Sequence, residues 1–318
     1  MGTLEGVLFF PVTPFTPGSG PGNTDVNVDA LAEHLRRGLA AGPGAVFAAC
    51  GTGEFHALDQ DEFRRVVGTA VDVAGRVAGG VDGGGVPVFA GTGGSLPVAV
   101  SLAREAERAG ANGLLLLPPY LVACPPAGLV AYVRAITAAT SLPVIVYNRG
   151  NAIFTPDAAV EVARIPNVIG LKDGVGDLDR LGQIVVAVRR ALADDPKPFQ
   201  FFNGLPTAEV TVPAYRGIGV DLYSSAVFGF VPEVSLGFYH AVTEHDDKLV
   251  ERYLAEFFHP LVRLRNKVPG YAIALIKAGV RARGLDVGGV RPPLVDPTPE
   301  HLAELDAIIA AGLAVAGS

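Results

Sequence analysis

Residues 143–147 read Pro143-Val144-Ile145-Val146-Tyr147, and residues 168–172 read Val168-Ile169-Gly170-Leu171-Lys172. Both are unbroken apolar runs of strand length that close on a polar, reactive side chain. A strand with one face in water alternates apolar and polar residues, whereas a strand covered by helices on both faces is apolar throughout. Six further runs of strand length, most of them also continuously apolar, occupy residues 6–10, 45–49, 86–90, 113–117, 199–203 and 219–223. Together the eight predict a parallel sheet.

Helical period fills the intervals. Residues 29–41 place Leu31, Leu35 and Leu39 on one stripe and turn Glu33, Arg36 and Arg37 elsewhere. From Asp59 the chain reads Asp-Gln-Asp-Glu, acids that suit a helix N-terminus. Pro97, Pro126 and Pro156 stand just inside expected helix starts, where a missing N–H costs nothing. Strands alternating with helices over residues 6–223 predict an α/β fold, a (β/α)8 TIM barrel. An open dinucleotide-binding sheet would carry a glycine fingerprint after its first strand, and Phe10-Pro11-Val12-Thr13-Pro14 is not one. Helices are expected at 232–243, 248–268, 271–283 and 299–316, which divides the chain into a barrel (1–231) and a C-terminal helical region packed on it (232–318). The glycine-rich stretches 18–22 and 79–85 read as connectors, because neither ends in the Lys-Ser or Lys-Thr of a phosphate-gripping loop.

The net charge of −7 over 318 residues offers no basic footprint for nucleic acid or for a membrane surface. No run of eighteen apolar residues occurs, and Met1-Gly2-Thr3-Leu4-Glu5 lacks the basic and apolar regions of a signal peptide. A cytoplasmic protein is therefore expected. Cys50 and Cys124 read as inert buried thiols. The six histidines are scattered, and no Ser lies in a Gly-x-Ser-x-Gly elbow, so neither metal nor cofactor is expected.

In such barrels the reactive groups project from the C-terminal ends of the strands. Of five lysines, Lys172 alone ends an apolar strand. Desolvation there disfavours the ammonium, and a neutral amine attacks ketones; the alternative is a structural ion pair with Asp173 or Glu54. Tyr147 ends the neighbouring strand, about 4.8 Å away, where a phenol either shuttles protons or simply fills the barrel top. Gly51-Thr52-Gly53 offers backbone N–H groups and a hydroxyl to a carboxylate, although glycine-threonine turns are common. Arg149 is either a bidentate clamp for a second carboxylate or an exposed loop residue. Asn203, Gly204, Ser224 and Ser225 end the last two strands and are candidates for substrate hydroxyls or a distal carboxylate.

Taken in order, Gly51-Thr52-Gly53-Glu54, Tyr147-Asn148, Gly170-Leu171-Lys172-Asp173 with Gly176-Asp177, and Asn203-Gly204 resemble the dihydrodipicolinate synthase / N-acetylneuraminate lyase superfamily. The resemblance implies a homotetrameric (β/α)8 lyase in which Lys172 forms a Schiff base with a 2-keto acid, Tyr147 transfers protons, and Thr52 with adjacent amides holds the keto-acid carboxylate. Gly51-Thr52 replaces two consecutive hydroxyl residues of the synthases, Leu121 follows Tyr120 where they carry a relay tyrosine, and Ala152 stands near their substrate arginine. The runs Tyr147-Asn148-Arg149-Gly150-Asn151-Ala152, Lys172-Asp173-Gly174-Val175-Gly176-Asp177 and Gly204-Leu205-Pro206-Thr207-Ala208-Glu209 most resemble the 5-dehydro-4-deoxyglucarate dehydratases. That likeness implies dehydration and decarboxylation of a keto-deoxy sugar diacid to 2,5-dioxopentanoate. A retro-aldol or synthase-like reaction on another 2-keto acid, and a non-catalytic sugar-acid sensor, are the competing readings.

Overall fold

In the computed structural model, residues 3–18, 24–77, 85–194 and 197–317 are described. The glycine stretches 18–22 and 79–85 fall largely outside them. Eight parallel strands form a closed barrel in which sequence neighbours are hydrogen-bonded neighbours and the last strand returns to the first. They are β1 (Leu8–Phe9), β2 (Ala45–Ala48), β3 (Val88–Thr92), β4 (Gly113–Leu116), β5 (Val144–Asn148), β6 (Val168–Asp173), β7 (Gln200–Asn203) and β8 (Leu222–Ser225). The TIM-barrel expectation holds.

Strand boundaries differ from the sequence expectation where backbone donors are already engaged. β3 begins at Val88, because Pro87 has no N–H to give to a ladder. β8 begins at Leu222 because the Gly219 and Val220 N–H groups close the preceding helical turn on Arg216 O and Tyr215 O.

Contacts divide the chain into two compact units. One comprises Met1–Glu5 with Pro87–Ser224, the other Gly6–Val86 with Ser225–Ser318. In the first, α3 (Leu96–Arg108), α4 (Pro126–Thr137), α5 (Pro156–Ala163), α6 (Leu178–Ala191) and α7 (Val212–Gly217) alternate with the strands. Pro126 and Pro156 are the first helical residues, and Thr155 and Asp177 cap α5 and α6 through their side chains.

In the second unit, α1 (Val28–Ala40) buries Leu31, Leu35 and Leu39, each a contribution of roughly 1.5–3 kcal/mol. α2 (Gln60–Val77) opens on a reciprocal cap in which Asp59 accepts from the Glu62 N–H and Glu62 from the Asp59 N–H. α8 (Pro232–Thr243), α9 (Asp247–Tyr253), α10 (His259–Arg265), α11 (Tyr271–Ala282) and α12 (Pro299–Ala316) complete it. The single helix expected over 248–268 is interrupted by a π turn, Leu254–Phe258. Pro260 supplies no N–H and crowds the preceding turn, and the wider turn accommodates it. No helix of the described residues is long and apolar enough to cross a membrane. Cys50 is buried as expected, but Cys124 is only half-buried, because it lies in the irregular approach to α4 and not in the core.

His34 on α1 is fully buried, its ring edge-on to Phe9 and its Nε2 accepting the Val12 N–H at 3.3 Å. Desolvation, with the nearby Arg37 charge, lowers its pKa from 6.5 to about 4. The unfolded chain takes up this proton below 6.5 while the folded chain resists it until about 4. The stability His34 contributes is therefore complete above 6.5 and lost as pH falls toward 4. His34→Gln, which retains an acceptor but does not titrate, should remove on the order of 3 kcal/mol of acid destabilisation. Urea unfolding of both proteins at neutral pH and near pH ~4 measures the difference.

Candidate active site

β5 and β6 start in register at Val144 and Val168, but the next pair is Ile145 with Gly170, so Ile169 is an extra residue on β6. Beyond that bulge Tyr147 lies opposite Lys172, and Asn148 opposite Asp173. Without it Tyr147 would face Leu171. On its other side Lys172 pairs with Phe202 of β7. Lys172 and Tyr147 are both buried, and the Lys172 Nζ lies 4.6 Å from the centre of the Tyr147 ring.

The Tyr147 hydroxyl donates to Gly204 O at 2.6 Å and accepts from Arg149 Nη1 at 3.0 Å. Arg149 is exposed, but a tight turn folds it back: its N–H donates to Ala152 O, the Ala152 N–H donates to Arg149 O, and Gly150 adopts a φ of +58°. The phenol oxygen thus lies between a carbonyl and a guanidinium, able to hold a proton or give one up.

Gly204 touches both members of the pair. Its carbonyl takes the Tyr147 proton, its N–H donates to Asp173 O, and a Cβ at this position would lie 2.5 Å from Lys172 Cε. The glycine leaves the space through which the lysine stem runs.

Behind the pair, the buried Asp173 carboxylate accepts from Asn148 Nδ2 (2.7 Å), the Gly176 N–H (3.0 Å) and the Tyr215 hydroxyl (2.5 Å). Asn148 Oδ1 in turn accepts from the Phe154 N–H. Burial first, and then the Asp173 carboxylate, push the Tyr215 phenol far above its ordinary pKa, so it remains a donor. Neither Asn148 nor Tyr215 was singled out from sequence as part of the site. Tyr215 lies 42 residues from its partner, and no local pattern marks it.

Other predicted site residues are engaged in the scaffold. Asn203 donates to Ala208 O and Thr211 Oγ1 and accepts from the Leu205 N–H, which shapes the loop after β7. Ser225 shares a hydrogen bond with Ser235 on α8 and accepts from the Phe228 N–H. Ser224, half-buried, makes a long contact of 3.4 Å to Asn203 O.

In the loop after β2, Gly51 is exposed, Thr52 half-buried and Gly53 buried. Among the described residues the Gly51, Thr52 and Gly53 N–H groups donate to no protein acceptor. Thr13 donates its hydroxyl to Gly53 O at 2.7 Å, and left-handed residues bracket the turn, Ala49 at φ +49° and Glu54 at φ +54°. Backbone N–H groups without a protein acceptor are available to a partner from outside the chain. Glu54 is not the partner of Lys172: its carboxylate is 2.6 Å from the Nζ of Lys277 on α11. The apolar run around Lys277, Ala274-Leu275-Ile276-Lys277-Ala278, is the signal that could have marked this buried lysine. Among the described residues no group of three or more His, Cys, Asp or Glu is placed to hold a metal ion.

Fold and strand ends define a parallel (β/α)8 barrel presenting an amine and a phenol side by side. The Dihydrodipicolinate synthetase family model matches residues 3–312, and the chain belongs to that family. It is 52% identical over 312 residues to "Probable 5-dehydro-4-deoxyglucarate dehydratase 1" of Streptomyces avermitilis, covering 98% of this chain and 94% of that one. It is 42% identical to "Probable 5-dehydro-4-deoxyglucarate dehydratase" of Azotobacter vinelandii, with 96% and 94% covered. Among solved structures, dihydrodipicolinate synthase from Oceanobacillus iheyensis superposes with a TM-score of 0.84 at 23% identity, covering 97% of this chain and 96% of that one. A prophage protein of the dihydrodipicolinic acid synthase family from E. coli K12, in complex with pyruvate, gives 0.82 at 23%, with 98% and 99% covered. These two likenesses concern the fold.

Gly204→Ala should leave the barrel folded and displace the Lys172 stem. Displacement on the scale of 1 Å lowers the rate of adduct formation with a 2-keto acid by on the order of a hundredfold. Circular dichroism, together with borohydride trapping followed by mass spectrometry, reads both outcomes; an unchanged trapping rate would contradict the steric role.

Proposed function

We propose that this chain is a decarboxylating hydro-lyase that converts 5-dehydro-4-deoxy-D-glucarate to 2,5-dioxopentanoate through a Schiff base on Lys172. The observation that carries the reading is the amine of Lys172 lying against the phenol of Tyr147 at adjacent strand ends. Relatives bearing the dehydratase name at 52% and 53% identity support the choice of substrate.

Lys172 attacks the ketone and water leaves, giving an iminium next to the keto-acid carboxylate. The iminium acidifies the neighbouring methylene. Loss of a proton there, with Tyr147 as the transfer group, and departure of the β-hydroxyl with a proton as water, yield a conjugated iminium. The bond to the distal carboxylate then breaks, carbon dioxide leaves, and its electron pair passes into the conjugated system. Protonation of the two carbons between the imine carbon and the enol carbon, conversion of that enol to the aldehyde with loss of its hydroxyl proton, and hydrolysis of the imine release the product. The balance is one water and one carbon dioxide lost, with no electrons gained.

The Gly51, Thr52 and Gly53 amides receive the keto-acid carboxylate, and Arg149 and Gly204 complete the catalytic surroundings. Asn203, Ser224 and Ser225 fix the loops that approach the substrate, and a direct contact is proposed only for the Ser224 hydroxyl. We place the enzyme in the cytoplasm as a homotetramer, with residues 232–318 as a helical region on the barrel. Exposed Tyr120, Leu121 and Val122 after β4 supply apolar surface for self-association.

Carbon dioxide release from the diacid, measured on wild type and Lys172→Ala, tests the reading. The substitution should lower the rate by at least roughly a thousandfold, the scale seen when a covalent nucleophile is removed. Pyruvate in place of carbon dioxide would establish the retro-aldol reaction instead. Binding of the diacid without a borohydride-stable adduct on Lys172 would establish a sensor.

A further inference from the structure

Glu54 closes the amide-bearing turn after β2, and its side chain is wholly buried. Its Oε1 lies 2.6 Å from Lys277 Nζ, a close ion pair without hydrogen-bond alignment, and its Oε2 accepts the Arg291 N–H at 2.9 Å. Lys277, equally buried, donates to Gly289 O at 2.7 Å and lies 3.9 Å over the Phe15 ring. The Arg291 guanidinium lies 4.0 Å from the centre of the same ring and grips Glu62 on α2 with two hydrogen bonds, at 2.7 and 2.6 Å. It also donates to Ala57 O, three residues beyond Glu54. Arg291 donates to Thr24 as well, from Nε to its hydroxyl at 2.9 Å and from Nη2 to its carbonyl at 3.0 Å, so the cluster ties the turn and the helix that follows it to Thr24. A residue at φ +54° with its carboxylate turned inward stays there only while something inside attracts the charge.

We propose that Lys277 is a positioning residue for the substrate: its ion pair with Glu54 holds the Gly51, Thr52 and Gly53 N–H groups in the arrangement that receives the substrate carboxylate, an inference that rests on the function proposed above. Lys277 lies on α11 and acts through Glu54. Desolvation brings its pKa down from 10.5 to about 8, while Glu54 and Asp296 favour the cation and Arg281 opposes it. With Arg291 across Phe15, these are the charged groups that face it. Below about 8 the pair is intact; as pH rises through that value the cation is lost, and Glu54 keeps only the Arg291 N–H.

The probe is the 2-hydroxy diacid made by reducing the substrate ketone, which carries the same carboxylates and cannot form an imine. Its Kd, measured by calorimetry, should weaken about tenfold in Lys277→Met, equivalent to about 1.4 kcal/mol. Turnover at saturating keto diacid should stay within about twofold, so that KM moves and kcat does not. In the wild type the Kd should rise as pH passes through about 8, and this step should vanish in Lys277→Met. A folded Lys277→Met protein with unchanged Kd, or with kcat lowered at constant KM, overturns the proposal. If that variant does not fold, Glu54→Gln takes its place with the same expected loss, and a wild-type Kd that is flat across the pH step overturns the proposal without any variant. Failure of the wild type to trap the keto diacid on Lys172 is a separate result and counts against the proposed function alone.

Discussion

The parallel ladder between β5 and β6 admits Ile169 as an unpaired residue, and the phase of every side chain beyond it depends on that insertion. Because side chains alternate across a strand, a slip of one residue exchanges the faces to which they point. With the bulge, the polar ends Tyr147-Asn148 and Lys172-Asp173 come level, phenol beside amine and carboxamide beside carboxylate. Ile169 is half-buried while the rest of β6 is buried, as an extra residue pushed out of the ladder should be.

The carboxamide and carboxylate then act as a rigid base. Asp173 is held by an amide, a backbone N–H and a phenol, each from a different part of the chain, and its own carbonyl receives the Gly204 N–H. Gly204 is thereby fixed where its carbonyl meets Tyr147 and its missing side chain makes room for Lys172. Removing one partner from such a buried carboxylate leaves a desolvated charge short of donors, which costs about 1–3 kcal/mol for each unmade bond. The precision of the lysine-phenol pair is therefore set by residues that need not touch a substrate.

This layering explains what the sequence disclosed. Strands were legible because burial on both faces leaves an unbroken apolar run, and helices because Leu31, Leu35 and Leu39 keep the period of one face. Lys172 and Tyr147 were legible because a polar residue ending such a run contradicts its surroundings. Asn203 and Ser225 were equally polar and equally terminal, yet their side chains turn to Ala208, Thr211, Ser235 and the Phe228 N–H. Strand position alone does not distinguish a group facing a substrate from one bracing a loop. Asp173–Tyr215 and Glu54–Lys277 join residues far apart in sequence, and only the closed fold brings them together. The π turn at Leu254–Phe258 was hidden for the opposite reason: its apolar period continues unbroken, and only Pro260 signals the interruption.

Two lysines are thus buried in one chain for different ends. Lys277 is sealed completely against a carboxylate, a carbonyl and an aromatic face, surroundings that hold an ammonium in place. A buried ion pair is a poor source of stability, since desolvating two ions consumes most of their attraction and apolar substitutes are often as good. What it supplies is a fixed direction. A left-handed residue such as Glu54 costs about 1–2 kcal/mol, and a loop free to relax would escape that cost by turning the carboxylate outward. Burying the opposite charge on α11 makes the escape more expensive than the strain, because it would leave Lys277 an isolated ion. The turn is accordingly shaped by a penalty for leaving it.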